Sequence, residues 1–139
     1  MDNPTLLRDS DMTRAETDTG AEVVAEIIRS FPTLVPYLRE WLERQGYDTD
    51  EQRPHPVLER FADATTEAIS KKDEVLARGY LALVESFLTS DDQELRALLD
   101  VAYCENLMWD LQDKELKHWG YSLFPPEVRR LYTDMWGSP

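Results

Sequence analysis

Apolar side chains recur at intervals of three and four residues along most of this chain, the spacing that aligns them on one face of an α-helix. The run Leu95, Leu98, Leu99 and Ala102 is a clear example. A half-buried strand would instead alternate apolar and polar residues, and the chain has no convincing run of alternating β-branched residues. The sequence therefore predicts an all-α fold.

Proline, glycine and capping residues divide this pattern into helices, because each of them favours a helix end over a helix interior. In chain order, the signals are Pro32 as a stop, Thr33 as an N-cap, Gly46 as a stop, Pro56 as a start, the capping-box pair Ser90 and Gln93, Gly120 as a break and Pro125-Pro126 as the last start. Gly79 is an expected point of close contact between helices. The short connections predict a single compact bundle, or a short helical solenoid, of about six antiparallel helices.

The length of 139 residues predicts one domain, since a chain of this size usually forms one hydrophobic core. Residues 1–19 have few large apolar side chains and cannot offset the entropy of ordering by burial, so we expect a mobile acidic N-terminal tail. Residues 20–139 are predicted to form the all-α helical domain. Its last helix has five expected core residues, Val128, Leu131, Tyr132, Met135 and Trp136.

The net charge of −13, from 28 acidic and 15 basic residues, limits the partners that the chain can bind. Nucleic acids and anionic membranes are normally bound by clustered Lys and Arg side chains, so we expect no direct nucleic-acid binding and no membrane binding. Two explanations of the acidity stay open at this point. It keeps the protein soluble, or it attracts a basic partner.

The single cysteine and the N-terminal residues favour a cytoplasmic location. Cys104 follows the apolar run Val101-Ala102-Tyr103, so we expect it to be buried as a small hydrophobic residue, and one cysteine forms no intrachain disulfide. The N-terminus is acidic and polar and lacks the apolar core of a signal peptide. No segment is apolar over the length that a membrane helix needs.

Residue types that bind metals or perform catalysis are dispersed along the chain. His55, Cys104 and His118 do not have the spacing of a zinc site. Glu115 and His118 have the i, i+3 spacing of half a di-iron motif, but the second copy that such bundles need is missing. No glycine-rich phosphate loop and no nucleophile on a sharp turn is recognisable. We expect no cofactor, no metal and no catalytic residues, and so a protein that is not an enzyme.

Glu85 and Glu105 each interrupt an apolar run. A buried and unpaired charge is costly, so both carboxylates need hydrogen bonds or a polar helix face. One interpretation pairs them as an acid/base site. The interpretation that we favour places them on a narrow polar stripe or in a buried polar network of hydrogen bonds.

Aromatic and acidic residues are interleaved between Trp109 and Tyr121, where the helical period is weak. Aromatic side chains are preferred anchors of protein interfaces, and carboxylates around them suit a basic partner. A polar loop and an acidic helix start complete the predicted contact surface. The predicted partner-binding residues are Tyr47, Asp48, Asp50, Glu51, Asp91, Asp92, Trp109, Asp110, Asp113, Trp119 and Tyr121.

A family resemblance is carried by a Phe-Pro helix junction, a proline-rich helix entry and an acidic residue in an apolar run. These segments are Ile28-Arg29-Ser30-Phe31-Pro32-Thr33-Leu34 with Tyr37-Leu38, then Pro54-His55-Pro56, then Val101-Ala102-Tyr103-Cys104-Glu105-Asn106-Leu107. Over residues 22–136, the chain resembles small all-α bacterial immunity-type proteins, which neutralise toxins of interbacterial competition by binding them. The resemblance implies a stoichiometric inhibitor without catalytic residues, whose binding surface is matched to its own toxin.

Charge adds a physical reason to expect a toxin as the partner. Toxins that act on nucleic acids or nucleotides tend to have basic clefts, which an acidic protein can enter quickly. We therefore expect an immunity protein that occludes a basic active-site cleft of its toxin. The alternative from a different class is a non-catalytic helical adaptor or regulatory subunit of a larger complex. A third hypothesis, an enzyme that uses Glu85, Glu105 or His118, requires a turnover reaction that mutation of these residues abolishes.

Overall fold

Seven α-helices form the regular structure of residues 20–46 and 53–139, the part of the chain that the computed structural model describes. In chain order they are α1 (20–30), α2 (Val35–Arg44), α3 (Pro54–Ser70), α4 (Glu74–Leu88), α5 (Gln93–Ala102), α6 (Lys114–Ser122) and α7 (Pro126–Trp136). The short 3-10 helices Pro32–Leu34 and Cys104–Asn106 precede α2 and follow α5. The all-α prediction is confirmed, with seven helices where about six were expected. None of these seven is long and apolar enough to cross a membrane.

Helix α3 lies at the centre of the fold and packs against α2, α4, α5 and α6. Ten of its 17 residues are buried, so its apolar surface extends over more than one face. Phe61 of α3 packs edge-on against Tyr80 of α4, with ring centroids 5.0 Å apart, and its centroid lies 5.6 Å from that of Tyr103. These aromatic contacts join elements that are distant in sequence into one core.

Two adjacent buried threonines on α3 hold the chain segment that follows α5. Thr65 donates its hydroxyl proton to the Phe61 carbonyl at 2.9 Å, so the Tyr103 hydroxyl, 2.8 Å away, donates to Thr65. Thr66 accepts the backbone N–H of Met108 at 2.9 Å. Tyr103 and Met108 are completely buried, and a buried polar group without a partner is costly. The two hydrogen bonds therefore fix the position of the whole segment.

Helix α6 occupies a stretch that the sequence did not predict to be helical. Asp113 is its N-cap, and the Asp113 carboxylate accepts the backbone N–H groups of Glu115 and Leu116 at 2.9 and 3.2 Å. Gly120 lies inside this helix. The expectation that Gly120 breaks the stretch is wrong, because a good N-cap and packing against α3 outweigh the low helix propensity of one glycine.

Gly120 is buried and allows α6 to approach α3 closely. A Cβ atom at position 120 would lie 2.8 Å from Ile69 Cγ2 and 2.8 Å from Met108 Sδ, too close for either side chain to stay in place. Gly79, an expected close contact, has more room, since a Cβ atom there would lie 3.5 Å from the Phe31 ring. Of these two glycines, Gly120 is the one that packing requires.

Two predicted N-caps are wrong. Thr33 lies within the 3-10 helix Pro32–Leu34, and α2 starts after it without a side-chain cap. The Ser90 and Gln93 capping box does not form, because Asp92 is the N-cap of α5 and accepts a backbone N–H of the first turn at 3.1 Å. Ser90 instead accepts the backbone N–H of Asp92 at 3.0 Å. Aspartate and serine are about equally good N-caps. The residue directly before the first helical residue takes the role, and here that residue is Asp92.

We predict that Gly120→Ala lowers the free energy of unfolding by about 1–2 kcal/mol, because overpacking outweighs the gain in helix propensity. Gly79→Ala is the matched control, since it gains the same propensity without a clash and should be neutral or stabilising. Chemical denaturation of the full chain measures both values. Equal stability of the two variants would mean that α6 moves away from α3 without cost.

Candidate functional site

The side chain of Trp109 is 60% exposed, although the preceding residue, Met108, is completely buried. Met108 has a φ of +57°, in the left-handed region that residues with a side chain rarely adopt. Its N–H is held by Thr66, and its carbonyl accepts the N–H of Leu111 at 3.2 Å. The chain therefore turns sharply at Met108 and presents Trp109 at the surface.

A groove of about 360 Å³ lies beside Trp109, between α2, α3 and the turn that carries this tryptophan. Its walls combine aromatic rings and carboxylates. Tyr37 comes from α2, Asp63 and Glu67 come from α3, and Asp110 is next to Trp109. A concave surface of aromatic rings with nearby carboxylates is suited to contact with a cationic group.

Arg60 supplies positive charge inside this groove. Its guanidinium lies 3.8 Å from the Tyr37 ring centroid and 3.5 Å from the Asp63 carboxylate. Burial of the phenol raises the pKa of Tyr37 to about 12. Burial also raises the pKa of Asp63, Asp110 raises it further, and Arg60 and a hydrogen bond from Trp109 offset this only in part. Additional positive charge here would therefore stabilise the Asp63 carboxylate.

Four of the acidic residues predicted to contact a partner are exposed: Asp91, Asp92, Asp110 and Asp113. Asp92 and Asp113 are the N-caps of α5 and α6, so their carboxylates are bound to backbone N–H groups. Asp91 lies at the N-terminal end of α5, whereas Trp109 follows its C-terminal end. Of the four, Asp110 is the one beside Trp109.

Trp119 and Tyr121, the other two predicted aromatic contacts, are half-buried and pack against the core. Lys72 Nζ lies 5.5 Å from a Trp119 ring centroid. The Tyr121 hydroxyl lies 2.8 Å from that of Thr133, and this hydrogen bond lowers the pKa of Tyr121. Both side chains are half-buried, whereas the larger part of the Trp109 side chain is exposed.

Part of the prediction lies outside the described residues. This part comprises the N-terminal tail, residues 1–19, and the loop residues Tyr47, Asp48, Asp50 and Glu51. Within residues 20–46 and 53–139, the predicted contact residues that meet in the groove are Trp109 and Asp110.

Sequence reasoning missed two exposed residues at the end of α7 and two residues of the groove. The apolar spacing of the last helix predicts Met135 and Trp136 to be buried, but they are 48% and 55% exposed, because the buried side of α7 ends at Tyr132. Spacing identifies the apolar face of a helix, but it does not show where packing against that face ends. Tyr37 and Asp63 were missed because they meet across two helices, a contact that no local pattern reports.

Glu85 and Glu105 are both half-buried and have different surroundings. The Glu85 carboxylate accepts the backbone N–H groups of Glu127 and Val128, each at 3.1 Å. Helix α7 has no side-chain cap at its own N-cap residue, so Glu85 caps it from 42 residues away and places negative charge at its N-terminus. The Glu105 side chain instead lies near Asp100, whose pKa is raised by burial and further by Glu105.

The described residues contain no group of three or more His, Cys, Asp or Glu side chains that could hold a metal ion. Cys104 is completely buried, and burial raises the pKa of its thiol, which disfavours the reactive thiolate. His55 is exposed and lies 3.5 Å from Glu59 on the following turn. Because its thiol is buried, Cys104 lacks the surroundings of an activated nucleophile.

Comparison with known families assigns the chain to one of them. Residues 24–137 match the model of a family described as Domain of unknown function (DUF7674). The chain belongs to the DUF7674 family. No curated protein and no solved structure matches it. In this DUF7674 protein, the matched region includes helices α2 to α7 and the whole groove beside Trp109.

For this DUF7674 protein we predict that Glu85→Gln lowers the free energy of unfolding by about 1 kcal/mol, because a charged cap of α7 becomes neutral. Glu105→Gln is the control, and it should be neutral or slightly stabilising, since it removes repulsion from the Asp100 carboxylate. Urea denaturation at neutral pH measures both values. A loss for Glu105→Gln as large as that for Glu85→Gln would contradict the assignment of the cap.

Proposed function

We propose that this DUF7674 protein is an immunity protein, which binds and inhibits a basic toxin domain in the cytoplasm of the cell that produces it. The proposed contact surface is the Trp109 groove, defined as Tyr37, Asp63, Trp109 and Asp110 with the recess between them. The observation that best supports this proposal is that Trp109 is exposed beside the carboxylates of the groove. The left-handed backbone of the buried Met108 directs it there.

The exposure of Trp109 costs free energy in the isolated protein. A left-handed residue with a side chain, such as Met108, costs about 1–3 kcal/mol. An exposed tryptophan also forgoes the gain of burying its ring. Such costs are found mainly at functional sites, and a partner that covers Trp109 would recover the burial, as anchors of interfaces do.

Charge favours a basic partner at this groove. Glu67 already pairs with Lys71 at 2.7 Å and Asp63 pairs with Arg60 at 3.5 Å, so Asp110, next to Trp109, is the groove carboxylate that a partner would pair with first. A cationic side chain from a partner would relieve the unfavourable burial of the Asp63 carboxylate. At longer range, the net charge of −13 attracts a basic domain and accelerates association. A basic cleft of a toxin that acts on nucleic acids or nucleotides has this complementary chemistry.

Affinity purification of the tagged full chain from its native cells, at low salt, identifies the partner. For the purified pair we predict that Trp109→Ala raises the Kd about tenfold or more, as for an interface hot spot. Asp110→Asn should mainly slow association. The matched controls are Val75→Ala, 85% exposed at the start of α4, and Glu22→Gln, an exposed carboxylate on α1. Both should leave the Kd unchanged.

Protection in living cells tests the immunity function itself. The partner expressed alone should arrest growth, this protein should restore it, and Trp109→Ala should reduce the protection. Association should slow as salt rises, while dissociation changes less. Recovery of a stable housekeeping complex without a toxic member would establish the adaptor instead. Equal Kd values for Trp109→Ala and Val75→Ala would place the contact surface elsewhere.

A further inference from the structure

Arg60 lines the Trp109 groove with hydrogen-bonding capacity that the fold does not use. Its guanidinium lies 3.8 Å from the Tyr37 ring centroid, and the Asp63 carboxylate oxygen that it contacts is 3.5 Å away, at the long limit of a hydrogen bond. The Nε atom of Arg60 is buried and finds no acceptor within residues 20–46 and 53–139. A guanidinium carries five N–H bonds, so the contact with Asp63 leaves most of them without a strong partner.

The hydroxyl groups that line the same groove are bonded to other partners. Thr66 donates its hydroxyl proton to the Ala62 carbonyl at 3.0 Å, and Ser70 donates to the Glu67 carbonyl at 2.9 Å. Neither hydroxyl forms a hydrogen bond with Arg60. A buried donor without a partner costs free energy, so an oxygen that a ligand brings to Arg60 would recover part of that cost.

The charges around Arg60 favour a neutral oxygen over an anionic one. Asp63 and Asp110 line the groove together with Arg60, and they would repel a carboxylate or phosphate placed between them. An amide oxygen accepts a hydrogen bond from a guanidinium without carrying a charge, and the amide N–H can donate to a carboxylate. A peptide group therefore complements both members of the pair formed by Arg60 and Asp63.

Asp110 adds a requirement for positive charge in the same ligand. It is exposed, it lies next to Trp109, and within the described part of the chain it forms no ion pair. A Lys or Arg side chain could pair with this carboxylate and lie against the exposed Trp109 ring. The groove thus offers a site for a cation beside a site for an amide.

We propose that the Trp109 groove recognises an extended basic segment of the partner polypeptide, with a peptide group between Arg60 and Asp63 and a Lys or Arg side chain against Asp110. Arg60 is then a specificity-determining residue, because it distinguishes a basic polypeptide from a cation that lacks amide groups. A second copy of the chain is a poor occupant, since both molecules have a net charge of −13. The inference rests on the proposed function, since it takes the toxin domain as the source of the segment.

Titration of the full chain at low salt with three probes, followed by the NMR signal of the Trp109 indole N–H, tests this recognition. Blocked trilysine carries three positive charges and peptide groups. Spermidine carries three positive charges and no amide, and blocked triglutamine carries amides and no charge. We expect trilysine to bind at least about tenfold more tightly than either of the other two.

Arg60→Met separates the hydrogen bond from the charge, because an unbranched side chain can still cover Tyr37 but donates no proton. Spermidine should bind this variant more tightly, since a repelling cation has been removed. Trilysine should bind it about tenfold less tightly, since its carbonyl oxygen has lost the donor. If Arg60 acted only through structure or charge, both probes would change in the same direction.

Two further variants complete the test. Arg78→Met makes the same change of charge at an exposed arginine of α4 outside the groove, and it should leave the ratio of the two affinities unchanged. Arg60→Lys keeps the charge and loses the planar donor, so trilysine alone should weaken. It replaces Arg60→Met if that variant loses its helical circular dichroism.

Three results would overturn the inference. Spermidine binds as tightly as trilysine, so that charge alone accounts for binding. Arg60→Met strengthens the binding of both probes. No probe shifts the Trp109 signal. Each of these leaves toxin inhibition that depends on Trp109 untouched, whereas selective binding of trilysine without any toxic partner in the cell would remove only the proposed function.

Discussion

The hydroxyl groups of Thr65 and Thr66 determine how this fold presents its surface. They accept hydrogen bonds from the Tyr103 hydroxyl and from the Met108 backbone, at the two ends of the segment that follows α5. Both bonds lie in the core, where leaving a polar group without a partner costs more than it does at the surface. Because both ends of the segment are anchored, the chain reverses at Met108 and directs Trp109 outward.

This reversal places Trp109 between two recesses of different character. One is the Trp109 groove against α2 and α3, and the other is a smaller recess at the end of α7, lined by Lys117, Tyr132 and Trp136 as well as Trp109. The groove combines aromatic area with nearby carboxylates, the chemistry that suits the anchors and rim of an interface with a basic partner, whereas the charged residue that lines the recess is Lys117. The irregular segment carries these groups, while the packed helices supply the rigidity that keeps them in position.

The helices could largely be predicted because apolar spacing and helix-ending residues are local signals. Prediction failed where signals competed, as at Asp92, which caps α5 in place of Ser90. Helix α6 was missed because Gly120 resembles a break, whereas packing against α3 makes a glycine necessary at that position. The mixture of aromatic and acidic residues predicted Trp109, Trp119 and Tyr121 alike as contact residues, and it could not predict that Tyr37 reaches the groove beside Trp109 from another helix.

The sequence by itself determined the all-α class, the approximate positions of most helices and the acidic charge, because these depend on local spacing and on composition. Only the tertiary structure decided that Trp109 and Trp136 are exposed while Trp119 packs against the core. It also decided that Glu85 caps a helix 42 residues away. The reason is physical: exposure and long-range capping depend on which helix surfaces meet, and the spacing of apolar residues within one helix does not show which distant segment packs against it.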